Sequence, residues 1–364
     1  MLLTTTSYHQ IMPSFLDFLF CFGAQHHAKD FFFTGFRHET RLCDPEKAVP
    51  IPALGRSGRY LQLCYSLRSV EASPDQEKWP WSIRGTATHH AFDFETGRTS
   101  WLMVKGEGGA SMKDRIITET SSSHGKMFKK FDNRDQAFSS TLSTHLLLCN
   151  WSVENWRWYI NYMEQEVQAI TRKTLSVTVP IPPSEPMPKL LFTRTVAGIL
   201  VPPKKISTSK SIANTKHSTK VAPPPPIQGP PGLPGPPPLL STLVRPSNFD
   251  PSQASNEFSF EDLQRIEYIE EHANEALLVI TLNSSILSAL AQHYTSIMES
   301  TACPCDLKAK CEMDFIRFVD RISDISAELQ TQKERVQTLL RLLADRKALV
   351  PTYSLIARQV LTIT

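Results

Sequence analysis

The chain has 364 residues and is 41% apolar, so it is long and apolar enough for two domains or one large one and is not disordered as a whole. Its 39 basic and 36 acidic residues leave a formal charge of +3, which gives no sign of a nucleic-acid-binding protein or a membrane-surface protein. The seven cysteines are scattered, odd in number and mostly surrounded by apolar residues. That usage predicts reduced thiols and a cytoplasmic location rather than a disulfide framework.

No stretch of the sequence has the pattern of a membrane-spanning helix or a secretion signal. The N-terminal run IMPSFLDFLFCFG is apolar, but Pro13 and Asp17 interrupt it and no basic residue precedes it. No window reaches about 18 uninterrupted apolar residues, the length that a spanning helix needs. We therefore expect no membrane span in this chain.

Residues 1–150 predict a mixed α/β head domain. GRYLQLCYSLRSV has the composition of a strand, and SIRGTATHHAFDF and TSWLMVKG are typical of a hairpin closed by the turn Glu95–Arg98. On the second arm, alternation predicts Trp101 and Met103 on one face and Leu102 and Val104 on the other. A polar loop is predicted over 106–127, and the spacing of NRDQAFSSTLSTHLLLC predicts a helix after it.

A first stalk helix is predicted over residues 151–179, and the run NWSVENWRWYINYMEQEVQAI at 150–170 carries its pattern. Its apolar residues recur in two rows seven apart: Trp156, Met163 and Ile170, and Ile160 and Val167. Ser152 is predicted as the N-cap, with Trp151 and Trp156 as a hydrophobic staple. This interpretation makes the tryptophans the start of a helix; the alternative is an aromatic platform for a ligand.

Residues 180–254 predict a disordered linker, because most of the 27 prolines fall between Pro180 and Pro251. The run APPPPIQGPPGLPGPPP lacks backbone donors for a helix or sheet and favours polyproline II. The tract at 223–238 is therefore a plain linker or a ligand for a proline-reading domain.

Residues 255–346 predict a helical hairpin, which we call the stalk. The break STACPCDLK separates two helices of roughly forty residues, which we expect to pack antiparallel. One seam is Ile266, Ala273, Ile280, Leu287 and Tyr294 with Ile269, Ala276, Asn283, Leu290 and Ile297. The other is Phe315, Ile322, Leu329, Val336 and Leu343 with Phe318, Ile325, Gln332 and Leu339. An irregular tail is predicted over 347–364, where Pro351 opposes continuation of the helix.

These elements predict an α+β protein, with a mixed α/β head followed by a long antiparallel, coiled-coil-like helical stalk and a disordered proline-rich linker. The two seams also favour a homo-oligomer formed through the stalk.

Metal-ligating residue types occur, but none forms a strong motif. The pairs at 26–27 and 89–90 are adjacent histidines, which on a strand point to opposite faces, so a structural or surface role is favoured. Cys303, Cys305 and Cys311 are one ligand short of a zinc site, although His293 could approach them in the folded hairpin. These patterns assign no residue to a metal site.

Other chemistry is weakly represented. Asp320 and Asp324 lie off the stalk seam, where solvated charges are expected. GEGGAS at 106–111 lacks the ending of a phosphate-binding loop, and a flexible exit from the hairpin is the favoured interpretation. No nucleophile elbow, His-Glu-x-x-His or dinucleotide fingerprint occurs. We therefore predict no enzyme, no catalytic residue and no cofactor-binding residue.

Several long blocks resemble a known family. SYHQIMPSFLDFLF, FTGFRHETRL, IPALGRSGRYLQLCYSLRSVE, WSIRGTATHHAFDFETGRTSWLMVKG and FSFEDLQRIEYIEEHANEALLVI are similar, in order, to the fungal CorA-like transporter-domain proteins. The likeness to the wider CorA family of divalent-metal transporters is one of architecture. The resemblance implies a role in transport of a divalent cation such as magnesium, and full-length relatives in a membrane.

The chain also departs from that family. The Gly-Met-Asn sequence and the two membrane helices that the resemblance implies after the stalk are absent, and the proline-rich insert replaces a short connection. We therefore expect a truncated or alternatively spliced product that conducts no ions alone. The competing hypothesis is a soluble coiled-coil scaffold with a proline-rich partner-binding linker.

Overall fold

The computed structural model describes residues 6–22, 33–42, 50–54, 56–73, 79–105, 111–120, 131–175 and 260–361. The strands are β1 (Phe36–Arg41), β2 (Tyr60–Ala72), β3 (Trp81–Asp93) and β4 (Thr99–Lys105). The helices are α1 (Phe15–Phe20), α2 (Ser111–Thr120), α3 (Arg134–Val153), α4 (Trp156–Leu175), α5 (Phe260–Glu299) and α6 (Cys305–Leu361). A 3-10 turn covers Pro52–Leu54.

The four strands form one antiparallel sheet in the order β1-β2-β3-β4, each hydrogen-bonded to its neighbour along the chain. β2 and β3 pair along their full length, from Tyr60 opposite Asp93 to Ala72 opposite Trp81. The predicted strands and the hairpin at Glu95–Arg98 are confirmed. β1 was not predicted, because a short edge strand with exposed Arg37 has little apolar alternation to detect.

The two faces of the sheet carry different cores. Leu102 and Val104 pack into a small cluster with Phe15 and Phe18 of α1. Trp101 and Met103 lie on the other face and pack against the main core, which also contains residues of the longer helices. The predicted alternation on β4 is therefore confirmed.

The helices α5 and α6 form the antiparallel hairpin predicted from the heptads. Near the turn, the Tyr294 ring lies 5.3 Å from that of Phe318. Near the other end, Lys347 Nζ lies 2.5 Å from Glu270 Oε2. The predicted α+β class, a sheet-containing head followed by long helices, is confirmed.

The α5 seam is wider than the sequence predicted. All ten predicted seam residues are buried, and a further row of Val279, Ile286 and His293 is buried as well. The extra row arises because α5 packs against α6 and also against β1 and β2 of the sheet. A helix covered from two sides needs a broader apolar face than the two-position seam of a coiled coil.

The polar loop predicted over 106–127 is wrong for its middle part, because α2 occupies Ser111–Thr120. Met112 is buried and Ile116 packs on the main core, so these residues, four apart, form one apolar helical face. Tertiary contact stabilises a short helix whose sequence is mostly polar.

The predicted start of the first stalk helix is also wrong. Ser152 lies in the last turn of α3, where its hydroxyl donates to the Cys149 carbonyl at 2.7 Å, so it is not an N-cap. The break falls at Asn155, which has a positive φ of 63° and donates from its side chain to the Val70 carbonyl. Trp156 then opens α4, and its indole N–H donates to the Ser152 carbonyl at 2.8 Å.

The helix α6 runs to Leu361, so the irregular tail predicted from residue 347 is wrong over 347–361. Pro351 removes one backbone donor and crowds the preceding turn, which costs about 3 kcal/mol, but this cost does not oblige a long helix to end. The predictions for the histidines at 26–27, the GEGG of the loop and the linker at 180–254 lie outside the described residues.

Gly97 closes the β3–β4 hairpin, and we predict that Gly97→Ala will destabilise the protein by about 2 kcal/mol or more. Its φ is +72°, and an added Cβ would lie only 2.5 Å from the Arg134 Cα. Gly85→Ala is the matched control, because a Cβ there would lie 3.5 Å or more from its nearest neighbours. Urea denaturation checks both, and equal midpoints for the two variants would contradict the prediction.

Candidate functional site at the sheet–helix interface

A buried histidine lies at the centre of the interface between the sheet and the helices. His145 on α3 is fully buried, with Nδ1 2.8 Å from the Tyr65 hydroxyl on β2 and Nε2 2.9 Å from the Tyr294 hydroxyl on α5. A neutral imidazole has one N–H donor and one lone pair. One tyrosine therefore donates to His145 and the other accepts, which joins three elements in a single polar chain.

A second buried histidine extends this network toward β4. His90 Nε2 lies 3.1 Å from the Thr99 hydroxyl, and its ring stacks on Trp101 with centroids 4.1 Å apart. The His145 ring stands edge-on to it at 5.0 Å. The Nδ1 of His90 is buried and has no hydrogen-bond partner among the described residues.

Burial keeps these imidazoles neutral. Desolvation, reinforced by neighbouring histidines, lowers the pKa values of His90 and His145 well below the ordinary 6.5. The same desolvation raises the pKa values of the Tyr65 and Tyr294 hydroxyls well above 10. The network therefore consists of neutral hydrogen-bonding groups at physiological pH.

The His89 side chain lies on the opposite face of β3 from that of His90, because adjacent residues on a strand alternate between the two faces. Its Nε2 accepts from the Met12 backbone N–H at 3.4 Å, and its ring lies 5.6 Å from that of Phe15. Desolvation lowers the pKa of His89 to about 4. The sequence-based expectation that the two histidines face different sides is confirmed.

Another pair of neighbouring histidine rings, His38 with His293, lies at the rim of the interface. His38 on β1 is exposed and His293 on α5 is buried, with their ring centroids 4.3 Å apart. The Phe36 ring stands roughly edge-on to the His293 ring, with centroids 5.7 Å apart. Desolvation, and then the neighbouring His38, lower the pKa of His293 to about 3.

The predicted cysteine candidates do not converge with a histidine. Cys303 and Cys311 are buried whereas Cys305 is exposed, and the Cys311 thiol donates to the Asp135 carbonyl at 3.4 Å. Asp320 and Asp324 are exposed on α6. Within the described ranges, no group of three or more His, Cys, Asp or Glu residues could hold a metal ion.

Carboxylates at the helix interfaces are already paired with cations. Glu166 on α4 accepts from Arg265 on α5 at 2.7 Å, and Glu164 accepts from Arg335 on α6 at 2.8 Å. Such pairs hold α4 against both stalk helices. Each carboxylate would have to give up its arginine before it could bind a divalent cation.

The cleft of about 320 Å³ beside the N-terminal segment is lined partly by Arg56, Tyr60 and Asp93. The Asp93 carboxylate is fully engaged in the loops, because it accepts from the backbone N–H groups of Ser57 at 2.8 Å and Thr96 at 2.9 Å. It fixes the end of the hairpin and leaves the cleft without a free acidic ligand from this residue.

Asn283 has a role that sequence reasoning missed, although it was the one polar residue among ten in its predicted seam. It is 2% exposed. Its side chain accepts from the Arg68 backbone N–H at 3.1 Å and donates to the Arg68 carbonyl at 2.7 Å. Phe36, the first residue of β1, lies opposite Tyr65, so Arg68 is beyond the described pairing of β1 with β2. There the Asn283 side chain provides a donor and an acceptor to the backbone of β2, as a neighbouring strand would.

Arg59 forms a second link between head and stalk. One guanidinium nitrogen donates to the Ala302 carbonyl in the turn of the stalk at 2.8 Å, and another donates to the Leu42 carbonyl at 3.2 Å. Asn283 and Arg59 thus fix the middle and the turn of the stalk to the sheet.

Among the described residues, helix α5 is long and apolar enough to cross a membrane when judged by length and composition. In the folded chain, 44% of its most apolar window is buried. Contacts with the sheet and α6 thus use much of this apolar surface, as in the core helix of a folded domain.

The fold and the interface define a protein whose antiparallel-sheet head is fixed along a long helical hairpin. Residues 1–175, just under half of the chain, match the family model of the CorA-like transporters. The match covers the whole sheet together with α3 and α4, and it supports a CorA-like domain in this segment. It also suggests a metal-ion transporter domain. No curated protein matches the chain.

Proposed function

We propose that this chain is the cytoplasmic, CorA-like part of a divalent-cation transporter of the magnesium type. The match of residues 1–175 to the CorA-like transporters is the observation that carries the proposal. The head followed by a long helical hairpin is consistent with it. The pore itself would be formed by membrane helices outside this chain, because a conducting path through a bilayer needs closed spanning structure.

The contacts between head and stalk suit a coupling role. Asn283 attaches the middle of α5 to the strand β2, and Arg59 attaches the turn of the stalk to the sheet. A movement of the head would therefore move the stalk along with it. In this proposal the stalk transmits such movements to the pore.

The test is cation uptake in native cells in which the gene containing this chain has been deleted and then restored. We expect deletion to slow the initial uptake of ²⁵Mg²⁺, measured by mass spectrometry, and restoration to recover it. Arg59→Met should reduce uptake without lowering the protein level, because it releases the turn of the stalk. Arg41→Met is the matched control, since that exposed arginine pairs with Glu39 of its own strand and lies over the Tyr60 ring of the neighbouring strand, both within the sheet. Unchanged divalent-cation uptake after deletion would refute the proposal.

The second candidate function is a scaffold that assembles through the stalk. Met313 and Ile316, three residues apart on α6, are 60% and 42% exposed, which places apolar side chains on an outer helical face. Scaffolding becomes the leading account if uptake is unaffected and light scattering shows an oligomer that Met313→Glu with Ile316→Glu dissociates. Recruitment of a proline-reading domain by 223–238 stays a prediction.

A further inference from the structure

His38 and His293 lie side by side where the edge strand β1 meets the stalk helix α5, and the inference drawn from this pair does not concern the transported cation of the proposed function. We propose that His38 and His293 bind a divalent transition-metal ion of the zinc type, which bridges the edge strand β1 to the stalk helix α5. The proposal rests on three observations about these two side chains: their proximity, the state of the His293 ring nitrogen, and the access that His38 provides.

The first observation is proximity across two elements that are far apart in sequence. The ring centroids lie 4.3 Å apart with an interplanar angle of 44°. Metal ions of the zinc type bind imidazole nitrogens at about 2.0–2.1 Å. Two imidazoles this close can direct a nitrogen each toward one ion after a small rotation of the exposed ring.

The second observation is an unused lone-pair position in a buried place. His293 is 6% exposed, and its Nε2 is buried without a hydrogen-bond partner among the described residues. Buried polar atoms are generally satisfied, and an unpartnered one calls for an explanation. A bound metal ion would satisfy it.

The third observation is an open side. His38 lies on β1, which is an edge strand, and its side chain is exposed. An ion can therefore approach the pair from solvent on the side of the exposed His38. Water would fill the remaining coordination positions, as in zinc sites that keep open positions.

Ligand chemistry selects the class of ion. Neutral imidazole suits Zn²⁺, Cu²⁺ and Ni²⁺, whereas Mg²⁺ prefers oxygen ligands and retains its water. The pair therefore should not bind magnesium. A bound ion would link the sheet edge to α5 only in the folded state, so it should stabilise the fold by mass action.

The experiment measures the thermal transition of the full chain with Zn²⁺ or with Mg²⁺. We expect Zn²⁺ at one hundred times its dissociation constant to raise Tm by about 5 °C, and Mg²⁺ at the same concentration to leave it unchanged. His38→Asn should lose the Zn²⁺ shift. Because His38 is exposed, this variant should keep the metal-free Tm of the parent. The exposed His9→Asn is the matched control and should retain the shift.

X-ray absorption at the zinc edge identifies the ligands. The parent should show nitrogen scatterers near 2.0 Å with an imidazole pattern that weakens in His38→Asn. A shell at about 2.3 Å would place the ion on cysteine thiols instead and would overturn the proposal. An equal Zn²⁺ shift in the parent and in His38→Asn would overturn it as well.

Discussion

Acidification from pH 7 to pH 5 should strongly destabilise this protein, because His89, His90 and His145 are buried as neutral imidazoles. Their ordinary pKa is 6.5, and burial lowers the pKa of His89 to about 4 and those of the other two well below their usual value. Between pH 6.5 and pH 4 the unfolded chain therefore binds protons that the folded chain does not. The part of the unfolding free energy that depends on these neutral histidines is therefore fully present above pH 6.5 and is lost as the pH falls below it.

The expected magnitude is large. Each such histidine costs about 1.4 kcal/mol per pH unit below 6.5, so three cost at most about 6 kcal/mol at pH 5. Small domains have a total stability of about 5–15 kcal/mol. Loss of this size would bring the protein close to its unfolding transition.

The surroundings of His145 offer an imidazolium no compensation. Tyr65 from β2 and Tyr294 from α5 provide hydroxyls, and His90 and His293 would add further positive charge if protonated. Among the described residues, no carboxylate is hydrogen-bonded to this imidazole. Protonation would also turn the accepting nitrogen into a donor, so the tyrosine that donates to it would have to turn its hydroxyl and accept instead.

Urea denaturation at pH 7 and at pH 5.5 measures the effect. We expect His145→Gln to reduce the loss of unfolding free energy by about 1.4 kcal/mol per pH unit, because glutamine does not titrate and still reaches one of the tyrosines. The exposed His9→Gln is the control and should behave as the parent does. A parent protein whose stability is flat across this range would show that the prediction is wrong.

Asn283→Leu should destabilise the protein by about 3–5 kcal/mol. This is expected even though leucine has more apolar surface than asparagine and is the more usual residue at a seam position of a heptad. The substitution leaves the Arg68 N–H and carbonyl without their partner and also removes a 3.3 Å hydrogen bond to the Ser152 carbonyl. Buried backbone groups that lose their partners cost about 1–3 kcal/mol each. Packing gains of one leucine do not offset that loss.

Asn274→Leu provides the matched control on the same helix. Asn274 is exposed, and its side chain donates to the Glu270 carbonyl one turn earlier on the same helix. Its replacement should change the free energy of unfolding by less than about 0.5 kcal/mol. If Asn283→Leu were as stable as the parent, the Arg68 hydrogen bonds would not be important for attaching the stalk.

The seven-residue spacing in the stalk was readable because a long helix buries the same stripe at every turn. Ile266, Leu287 and Leu329 all lie in the core, as the heptads predicted. The β3–β4 hairpin was readable for a similar local reason, since Gly97 and strict alternation define both the turn and the two faces.

Local signals failed where distant residues decide the outcome. Asn155 donates to the Val70 carbonyl on β2 and separates α3 from α4. The helix therefore begins at Trp156 and not after Ser152, as the sequence predicted. The short helix α2 depends on burial of Met112 in the main core. Neither contact has a counterpart within a few residues of sequence.

The candidate site shows the same division. Alternation along β3 predicted that His89 and His90 face opposite sides, because strand geometry is a local property. Nothing local indicates that His145 lies between tyrosines of β2 and α5, or that His293 lies beside His38.

The sequence by itself determined the helical hairpin, the main strands and the two-sided sheet, because periodic burial repeats along each element and is visible within it. Only the tertiary structure decided which polar residues meet. Asn283 is an apparent exception in its seam until its two hydrogen bonds to the Arg68 backbone of β2 explain it. Contacts between side chains that are far apart in sequence depend on how the elements pack, and the residues next to each side chain do not indicate that packing.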